Sequence, residues 1–252
     1  MQSRTNKQRK FTLIWISIIV VLFGVLVIPS ILNRIKTKSV TDYRRAIGTS
    51  EYMYSENEKL SYVLNAGKPR KMPSFRLINQ DSLEVDSSNL SGKVVIVDFF
   101  FTSCPTICPI MSRNMALLQD EFKTSPVELV SISINPKYDK PEVLRSYLEN
   151  YGIINSNWNL LTGDREGIYE IAREGFYLYT EENDEVVGGF EHSGMFALID
   201  KEGYIRSRSD EYGNPIVYYR GSVFKDAGVN SDGEEEQIGI LIEDIYKLLK
   251  EN

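Results

Sequence analysis

The two cysteines of this 252-residue chain lie four positions apart, in the stretch FFFTSCPTICPIM at residues 99–111. A proline follows each of them, and Pro105 and Pro109 prevent Cys104 to Cys108 from being the smooth interior of a long helix. If the segment turns helically, the Cα atoms of the cysteines lie about 6 Å apart, which suits a disulfide and also lets two thiolates converge on one ion. The pattern permits a structural disulfide, a redox couple or part of a metal site.

Both thiols are predicted to lie on a stiff loop just before a helix. Apolar residues recur at helical spacing over residues 109–123, namely Met111, Met115, Leu118 and Phe122. Backbone N–H groups and the helix dipole at such an N-terminus favour thiolate, so both thiols are predicted to be primed as nucleophiles or ligands. A purely stabilising disulfide is disfavoured, because closing so short a loop removes little entropy from the unfolded chain.

The third candidate is the single histidine, His192, in the stretch VVGGFEHSGMFALID. It directly precedes a predicted hairpin strand that should lie next to the strand KVVIVDFFF in the sheet. The loop around it contains Gly188 and Gly189 and is predicted to open near the cysteine loop. The sequence therefore predicts that His192 approaches Cys104 and Cys108.

Two thiolates and one imidazole suit a soft or borderline ion, with Cu(I) and Zn(II) as the candidates. A structural zinc site requires four ligands, and a carboxylate could supply the fourth. The candidate carboxylates are Asp98, Asp139 and Glu191. Low coordination by thiolates points more towards copper.

The elements that position these residues alternate between strands and helices. The runs KVVIVDFFF and VELVSISI are typical of strands buried on both faces. The predicted order is strand, helix, strand, helix, strand, helix, hairpin, helix, which indicates an α/β fold with a thioredoxin-like mixed sheet flanked by helices. The cysteines follow the carboxyl end of the first central strand, where open α/β sheets place their chemistry.

Several flanking elements are also predicted. Two short strands, PSFRLI and SLEV, enclose a turn at residues 79–81, and Asp164 is predicted to cap the helix DREGIYEIAREG. Asp139 and Pro141 are predicted to open a helix that ends at Gly152. GMFALID and YIRSRS form a predicted hairpin, and the last helix is predicted at residues 235–251.

The N-terminal part is predicted to hold a membrane anchor. Residues 11–32 contain no charged residue and are long enough to span about 30 Å of hydrocarbon. No small-x-small cleavage pattern follows them, which favours an uncleaved transmembrane helix over a signal peptide. Residues 1–10 are then a basic cytoplasmic tail, 33–70 a tether with a short helix at 50–64, and 71–252 the folded domain, predicted to lie outside the cytoplasm.

Charge excludes one class of partner. The chain carries −6 overall, but beyond Arg45 it has 20 Lys and Arg against 34 Asp and Glu, a net charge of −14. An acidic body repels a phosphate backbone, so nucleic acid is not predicted as a partner.

At these residues the chain resembles the Sco/SenC copper metallochaperones, which have thioredoxin-like domains on a single membrane anchor. The matching stretches are NLSGKVVIVDFFFTSCPTICPIM, SISINPKYDKP, NLLTGDREGIYEIA and EHSGMFALIDKEGYI. The resemblance implies that Cys104, Cys108 and His192 bind one copper ion per domain, as Cu(I) or Cu(II). It implies delivery to the dinuclear copper centre of cytochrome c oxidase subunit II, or to a similar copper-accepting protein, or reduction of that acceptor's thiols.

The resemblance also implies a location, because that assembly occurs on the outer face of the inner membrane. The protein is therefore expected to be a single-pass inner-membrane protein with its domain on the periplasmic side. The sequence departs from the family pattern at Asn135 and Glu191, where the family often has Asp. Both positions are expected to alter the electrostatics around the ligands rather than the ligands themselves.

Two alternatives remain from the residues alone. A thiol–disulfide oxidoreductase could use Cys104 and Cys108 on partner cysteines, although three residues separate them where thioredoxins have two, and no proline between Pro141 and Pro215 is available to face the thiols. A peroxidase would need an activating arginine, and only Arg113 is near. The favoured interpretation is a metallochaperone, in which Cys104 and Cys108 would count as catalytic residues only if the pair is redox-active.

Overall fold

The computed structural model describes Trp15 and residues 59–153, 157–178, 180–182, 190–209 and 214–251. The predicted tail, the predicted anchor apart from Trp15, and the tether up to residue 58 lie outside the described residues. Within these ranges, no helix combines the length and the apolar character needed to cross a membrane. The described residues other than Trp15 belong to one compact unit, Lys59–Asn252.

A mixed sheet of nine strands, counted over the described residues, forms the centre of this unit. The strands of the chain are β1 Ser61–Tyr62, β2 Leu64–Asn65, β3 Lys68–Pro69, β4 Arg76–Asn79, β5 Glu84–Asp86, β6 Val94–Phe100, β7 Val127–Ser133, β8 Trp158–Thr162, β9 Thr180–Glu182, β10 Phe190–His192, β11 Met195–Ile199, β12 Ile205–Ser207 and β13 Tyr219–Arg220. The order across the large sheet is β1, β12, β11, β6, β7, β8, β4, β5, and β13 pairs with β11. Strands β9 and β10 pair separately, as do β2 and β3.

The middle of the sheet is parallel and its edges are antiparallel. Strand β6 pairs in parallel with β7, and β7 with β8, whereas β11 runs antiparallel beside β6 with Ala197 opposite Val97. Every residue of β6 is buried, as its continuous apolar sequence predicts. The predicted hairpin beside KVVIVDFFF is confirmed, and so is the thioredoxin-like α/β class.

Four α-helices are present among the described residues. They are α1 Cys108–Phe122, α2 Pro141–Asn150, α3 Arg165–Glu170 and α4 Ile238–Lys250, and a π-helical turn, Ile171–Gly175, extends α3. Asp164 caps α3 as predicted, because its carboxylate accepts a hydrogen bond from the Gly167 N–H. Helix α4 begins later than predicted, since the Glu236 carboxylate accepts from the N–H groups of Ile238 and Gly239 and so defines the first turn there.

The helix predicted at residues 50–64 is wrong for its described part. Residues 61–62 form β1, which pairs with the edge strand β12, with Ser61 opposite Ser207. The extended conformation buries Leu60 and Val63 against the core, and the Arg206 guanidinium donates to the Leu60 carbonyl. The folded unit therefore includes residues 59–70 of the stretch predicted as a tether.

Candidate metal centre

The two cysteines lie where β6 gives way to α1. Cys104 is in the connecting loop and Cys108 is the first residue of the helix. Pro109 follows at the second helical position, where proline is tolerated because its missing N–H would have no helical partner. Both side chains are thiols and both are buried, with relative exposures of 7% for Cys104 and 0% for Cys108.

A buried carboxylate anchors the cysteine loop. Asp139, at 0% exposure, accepts a 3.1 Å hydrogen bond from the Thr102 backbone N–H. The hydroxyl groups of Thr102 and Ser133 donate to the same carboxylate. The loop entering Cys104 is thus fixed to the end of β7. Inside the loop, the Cys104 N–H donates to the Phe101 carbonyl at 3.3 Å, and the Cys104 sulfur lies 3.4 Å from the Thr106 hydroxyl.

These contacts correct the expectation that Asp139 opens α2, and they bear on its candidacy as a fourth ligand. The N-cap position of α2 is Lys140, and the Asp139 side chain is directed to the cysteine loop rather than to the helix. Because its oxygens already accept three hydrogen bonds, Asp139 serves to hold the loop, and the structure gives no support to a role as fourth ligand. Sequence spacing could not show this, since Thr102 lies 37 residues away.

Asp98 is also part of the core. It is buried at 1% exposure and accepts a hydrogen bond from the Ser131 hydroxyl, which itself accepts from the Trp158 indole N–H at 2.9 Å. Trp158 is one of the largest fully buried side chains. This network connects β6, β7 and β8, and it occupies the carboxylate with structural hydrogen bonds.

Thiolate formation at Cys108 is opposed by the protein interior. Burial raises the pKa of the Cys108 thiol well above its ordinary value, and the neighbouring Cys104 thiol raises this pKa further. The helix N-terminus was predicted to favour thiolate, but complete removal from water outweighs the helix dipole. Cys108 is therefore a neutral thiol at ordinary pH, and a metal ion that binds its sulfur has to displace the proton.

His192 is the last residue of β10, opposite Thr180 of β9. Phe190 and Gly194, each two positions from His192, lie close to the cysteine loop. The rings of Phe190 and Phe101 lie 5.0 Å apart between centroids. A Cβ placed on Gly194 would lie 3.3 Å from Cδ1 of Ile107, the residue before Cys108. The backbone at His192 is therefore held beside the loop that carries both thiols.

The side chains of His192 and Glu191 lie outside the described residues. Among the side chains that the structure does describe, no group of three His, Cys, Asp or Glu residues could hold a metal ion. The structure brings Cys104 and Cys108 together and brings the strand of His192 to them. The assignment of His192 as a ligand stays a prediction.

Sequence reasoning missed one buried polar residue near this site. Asn114, on α1, is completely buried, and its amide nitrogen donates to the carbonyl oxygens of Gly221 and Val223. The available signal was an amide side chain next to Met115, within a helix whose apolar face was predicted correctly. The residues that it contacts follow it by more than one hundred positions, and no local pattern indicates them.

The sheet has the thioredoxin-like arrangement, with a thiol pair at the end of a central strand and a histidine-bearing strand beside it. This protein therefore belongs to the class of thioredoxin-like α/β proteins. Its family follows from comparison: the model of the SCO1/SenC family matches residues 65–220, and the chain belongs to this family.

Known proteins similar to this chain carry further information in their names. The SCO1 protein homolog of Bacillus subtilis is 34% identical over 137 residues, which cover 52% of this chain and 69% of the relative. A protein of Stutzerimonas stutzeri named for copper binding is 29% identical, and the matched region covers 57% of this chain and 71% of that relative. One similar solved structure is that of BsSco, described as having a disulfide switch and as a member of the Sco family of cytochrome c oxidase assembly proteins. It is 26% identical to this chain with a TM-score of 0.60, and the match covers 77% of this chain and all of that one.

Proposed function

We propose that this chain binds copper and takes part in the assembly of cytochrome c oxidase. Copper is its cargo, one ion per domain, held by the sulfurs of Cys104 and Cys108 and by the imidazole of His192. The observation that carries the proposal is the approach of the chain on both sides of His192 to the cysteine loop. The Phe190 ring packs against Phe101, and Gly194 lies so close to Ile107 that an added Cβ would be 3.3 Å from the Ile107 Cδ1. Those contacts support a position of His192 beside Cys104 and Cys108.

The chemistry of the donors supports copper over harder ions. Thiolate sulfur and imidazole nitrogen are soft or borderline ligands, which suit Cu(I) and also accept Cu(II). The carboxylates Asp98 and Asp139 have hydrogen-bonding roles in the core, so the described residues supply sulfur rather than oxygen. The copper-binding name of the Stutzerimonas relative agrees with this choice.

The site also suits a carrier that must release its ion. Because Cys108 is neutral and buried, copper binding requires loss of its proton, and proton return favours release. We propose the dinuclear copper centre of cytochrome c oxidase subunit II, or a similar copper-accepting protein, as the acceptor. The assembly role of BsSco as a member of the Sco family of cytochrome c oxidase assembly proteins, together with the family resemblance, supports that choice.

The location is proposed from the sequence. Residues 11–32 would anchor the chain in the inner membrane as a single span, with residues 1–10 in the cytoplasm and the folded unit on the periplasmic side. In that position the thiols would face the compartment in which the acceptor is assembled.

A second function is favoured by the closeness of the two thiols. The Cys104 thiol is near enough to raise the pKa of Cys108, so the pair could exchange electrons with cysteines of a partner as a thiol–disulfide oxidoreductase. This alternative uses the same sulfurs but does not require His192. Dependence on His192 therefore distinguishes the two functions.

The test is a copper titration of the full-length protein, purified in mild detergent and reduced, with His192→Ala as the comparison. We expect wild type to bind one equivalent of copper, and His192→Ala to bind it more weakly and with a changed Cu(II) spectrum. Identical stoichiometry, affinity and spectra would remove His192 from the site. If oxidase assembly in cells then survived His192→Ala but not Cys104→Ser, the oxidoreductase alternative would replace the proposal.

A further inference from the structure

We infer that Asn114 is a positioning residue for His192, because it fixes the distance between the cysteine helix and the histidine strand. The inference rests on the proposed function in that it takes His192 as a copper ligand. Asn114 lies six residues after Cys108 on α1 and does not belong to the thiol loop. Its action would pass through a separate segment of the chain, residues 221–225.

The side-chain amide of Asn114 is hydrogen-bonded to that segment through both its nitrogen and its oxygen. Its nitrogen donates to the carbonyl oxygens of Gly221 and Val223, each at 2.9 Å. Its oxygen accepts from the Lys225 N–H at 3.3 Å. The side chain is completely buried, so these three bonds replace the ones that water would make. Asn114 therefore links residues 221–225 to α1 by three hydrogen bonds.

The same segment is bonded to the histidine strand. The N–H groups of Gly221 and Ser222 both donate to the carbonyl of Gly194, at 2.7 and 3.2 Å. Gly194 lies two residues after His192, and β11 begins at Met195 directly after it. Strand β13, which ends at Arg220, pairs with β11 and gives the segment a second attachment. A continuous set of hydrogen bonds thus leads from Asn114 to the residues next to His192.

Close packing completes the connection. A Cβ on Gly194 would lie 2.7 Å from the Ser222 Cβ and 3.3 Å from the Ile107 Cδ1. Gly194 therefore lies close both to the segment that Asn114 fixes and to the residue that precedes Cys108. The arrangement is a closed ring, from α1 through Asn114, residues 221–225 and Gly194 back to the start of α1. A change at Asn114 should move the histidine strand relative to the thiols.

The test is a double-mutant cycle on Cu(I) affinity, measured by competition with a chromophoric Cu(I) chelator in the full-length reduced protein. Asn114→Leu keeps the size of the side chain and removes all three hydrogen bonds. We expect it to weaken Cu(I) binding about tenfold, as loss of groups that orient metal ligands commonly does. In the His192→Ala background we expect no further loss beyond about twofold, because the ligand that Asn114 positions is absent.

Ser112→Ala is the matched control. Ser112 is buried on the same helix, and its hydroxyl lies 2.8 Å from that of Tyr147, on a different element from residues 221–225. Its removal should give the same effect on Cu(I) affinity with or without His192. Equal losses for Asn114→Leu in both backgrounds, or no loss in either, would overturn the inference, since Asn114 would then act on the fold or on the thiols alone.

A second pair of variants decides the question if Asn114→Leu does not fold. Gly194→Ala should push the histidine strand away from Ser222 and Ile107, and lower Cu(I) affinity only when His192 is present. Adding Ser222→Gly removes the closest clash and should restore much of the affinity. Failure of either expectation overturns the inference. If wild type and His192→Ala bind copper identically, the proposed function itself fails, and the Asn114 inference falls with it.

Discussion

The rings of Phe101 and Phe190 are in contact, with centroids 5.0 Å apart and planes inclined at 49°. Phe101 follows the central strand β6 and lies three residues before Cys104, whereas Phe190 opens the strand that ends at His192. The contact therefore joins two parts of the chain that are about ninety residues apart and that carry different proposed copper ligands. Aromatic pairs in this geometry contribute about 0.5–1.5 kcal/mol beyond the area they bury.

Removal of one ring should separate the histidine strand from the thiols. We expect Phe190→Ala to lower copper affinity in wild type and to have little effect when His192 is already alanine. Phe190→Leu keeps an apolar contact with Phe101 and should lie between the two. Copper competition titrations of the full-length variants measure this. An affinity for Phe190→Ala equal to that of wild type would show that the ring contact does not position His192.

Asp139 should control the order of the cysteine loop. Asp139→Ala leaves the Thr102 N–H and the hydroxyl groups of Thr102 and Ser133 without their acceptor. Unsatisfied buried polar groups cost about 1–3 kcal/mol each, so we expect a marked loss in the free energy of unfolding, measured by urea denaturation. Amide hydrogen exchange at Thr102 should accelerate in the same variant.

Thr102→Val is the control for that prediction, because it removes one hydroxyl but keeps the backbone bond to Asp139. Its loss of stability should be the smaller of the two. If Asp139→Ala left both the unfolding free energy and exchange at Thr102 unchanged, Asp139 would not hold the loop.

Alkaline pH should destabilise the reduced protein through Cys108. Because burial raises the pKa of this thiol, the folded state holds the proton more tightly than the unfolded state. The stabilisation is fully present below the ordinary thiol pKa of 9.0 and is lost as the pH rises above it. One such group contributes a slope of about 1.4 kcal/mol per pH unit.

Urea denaturation at pH values from neutral to alkaline, under reducing conditions, checks this expectation. Cys108→Ser should show a flatter profile just above pH 9. Tyr219→Phe is the control, since burial also raises the pKa of Tyr219 but from an ordinary value of 10.0, so its effect starts at higher pH. A Cys108→Ser profile that matches wild type would contradict the prediction.

The sequence was sufficient to predict the strand and the helix that position the cysteines. It was not sufficient to predict the long-range hydrogen bonds and the burial around them. The apolar run of β6 and the helical spacing of Met111 and Met115 are local patterns, and they place the cysteines between a strand and a helix without reference to the rest of the fold. The bond between Asp139 and Thr102 joins residues whose pairing depends on β6 and β7 lying side by side. The pKa of Cys108 likewise depends on tertiary burial, which outweighs the local helix N-terminus.

The two thiols should differ in reactivity, and the difference bears on both proposed functions. Cys104 lies in the loop with 7% of its surface exposed, whereas Cys108 is fully covered and the pKa of its thiol is raised. Since the thiolate is the reactive form and must be reached from solvent, iodoacetamide should modify Cys104 well before Cys108 in the reduced protein. Peptide mapping by mass spectrometry at successive times measures the two rates, and denatured protein serves as the control in which they converge.

Bound copper should protect both residues if both sulfurs are ligands. Equal rates in the folded protein would mean that Cys108 is as accessible as Cys104, and protection of Cys104 alone would remove Cys108 from the metal site.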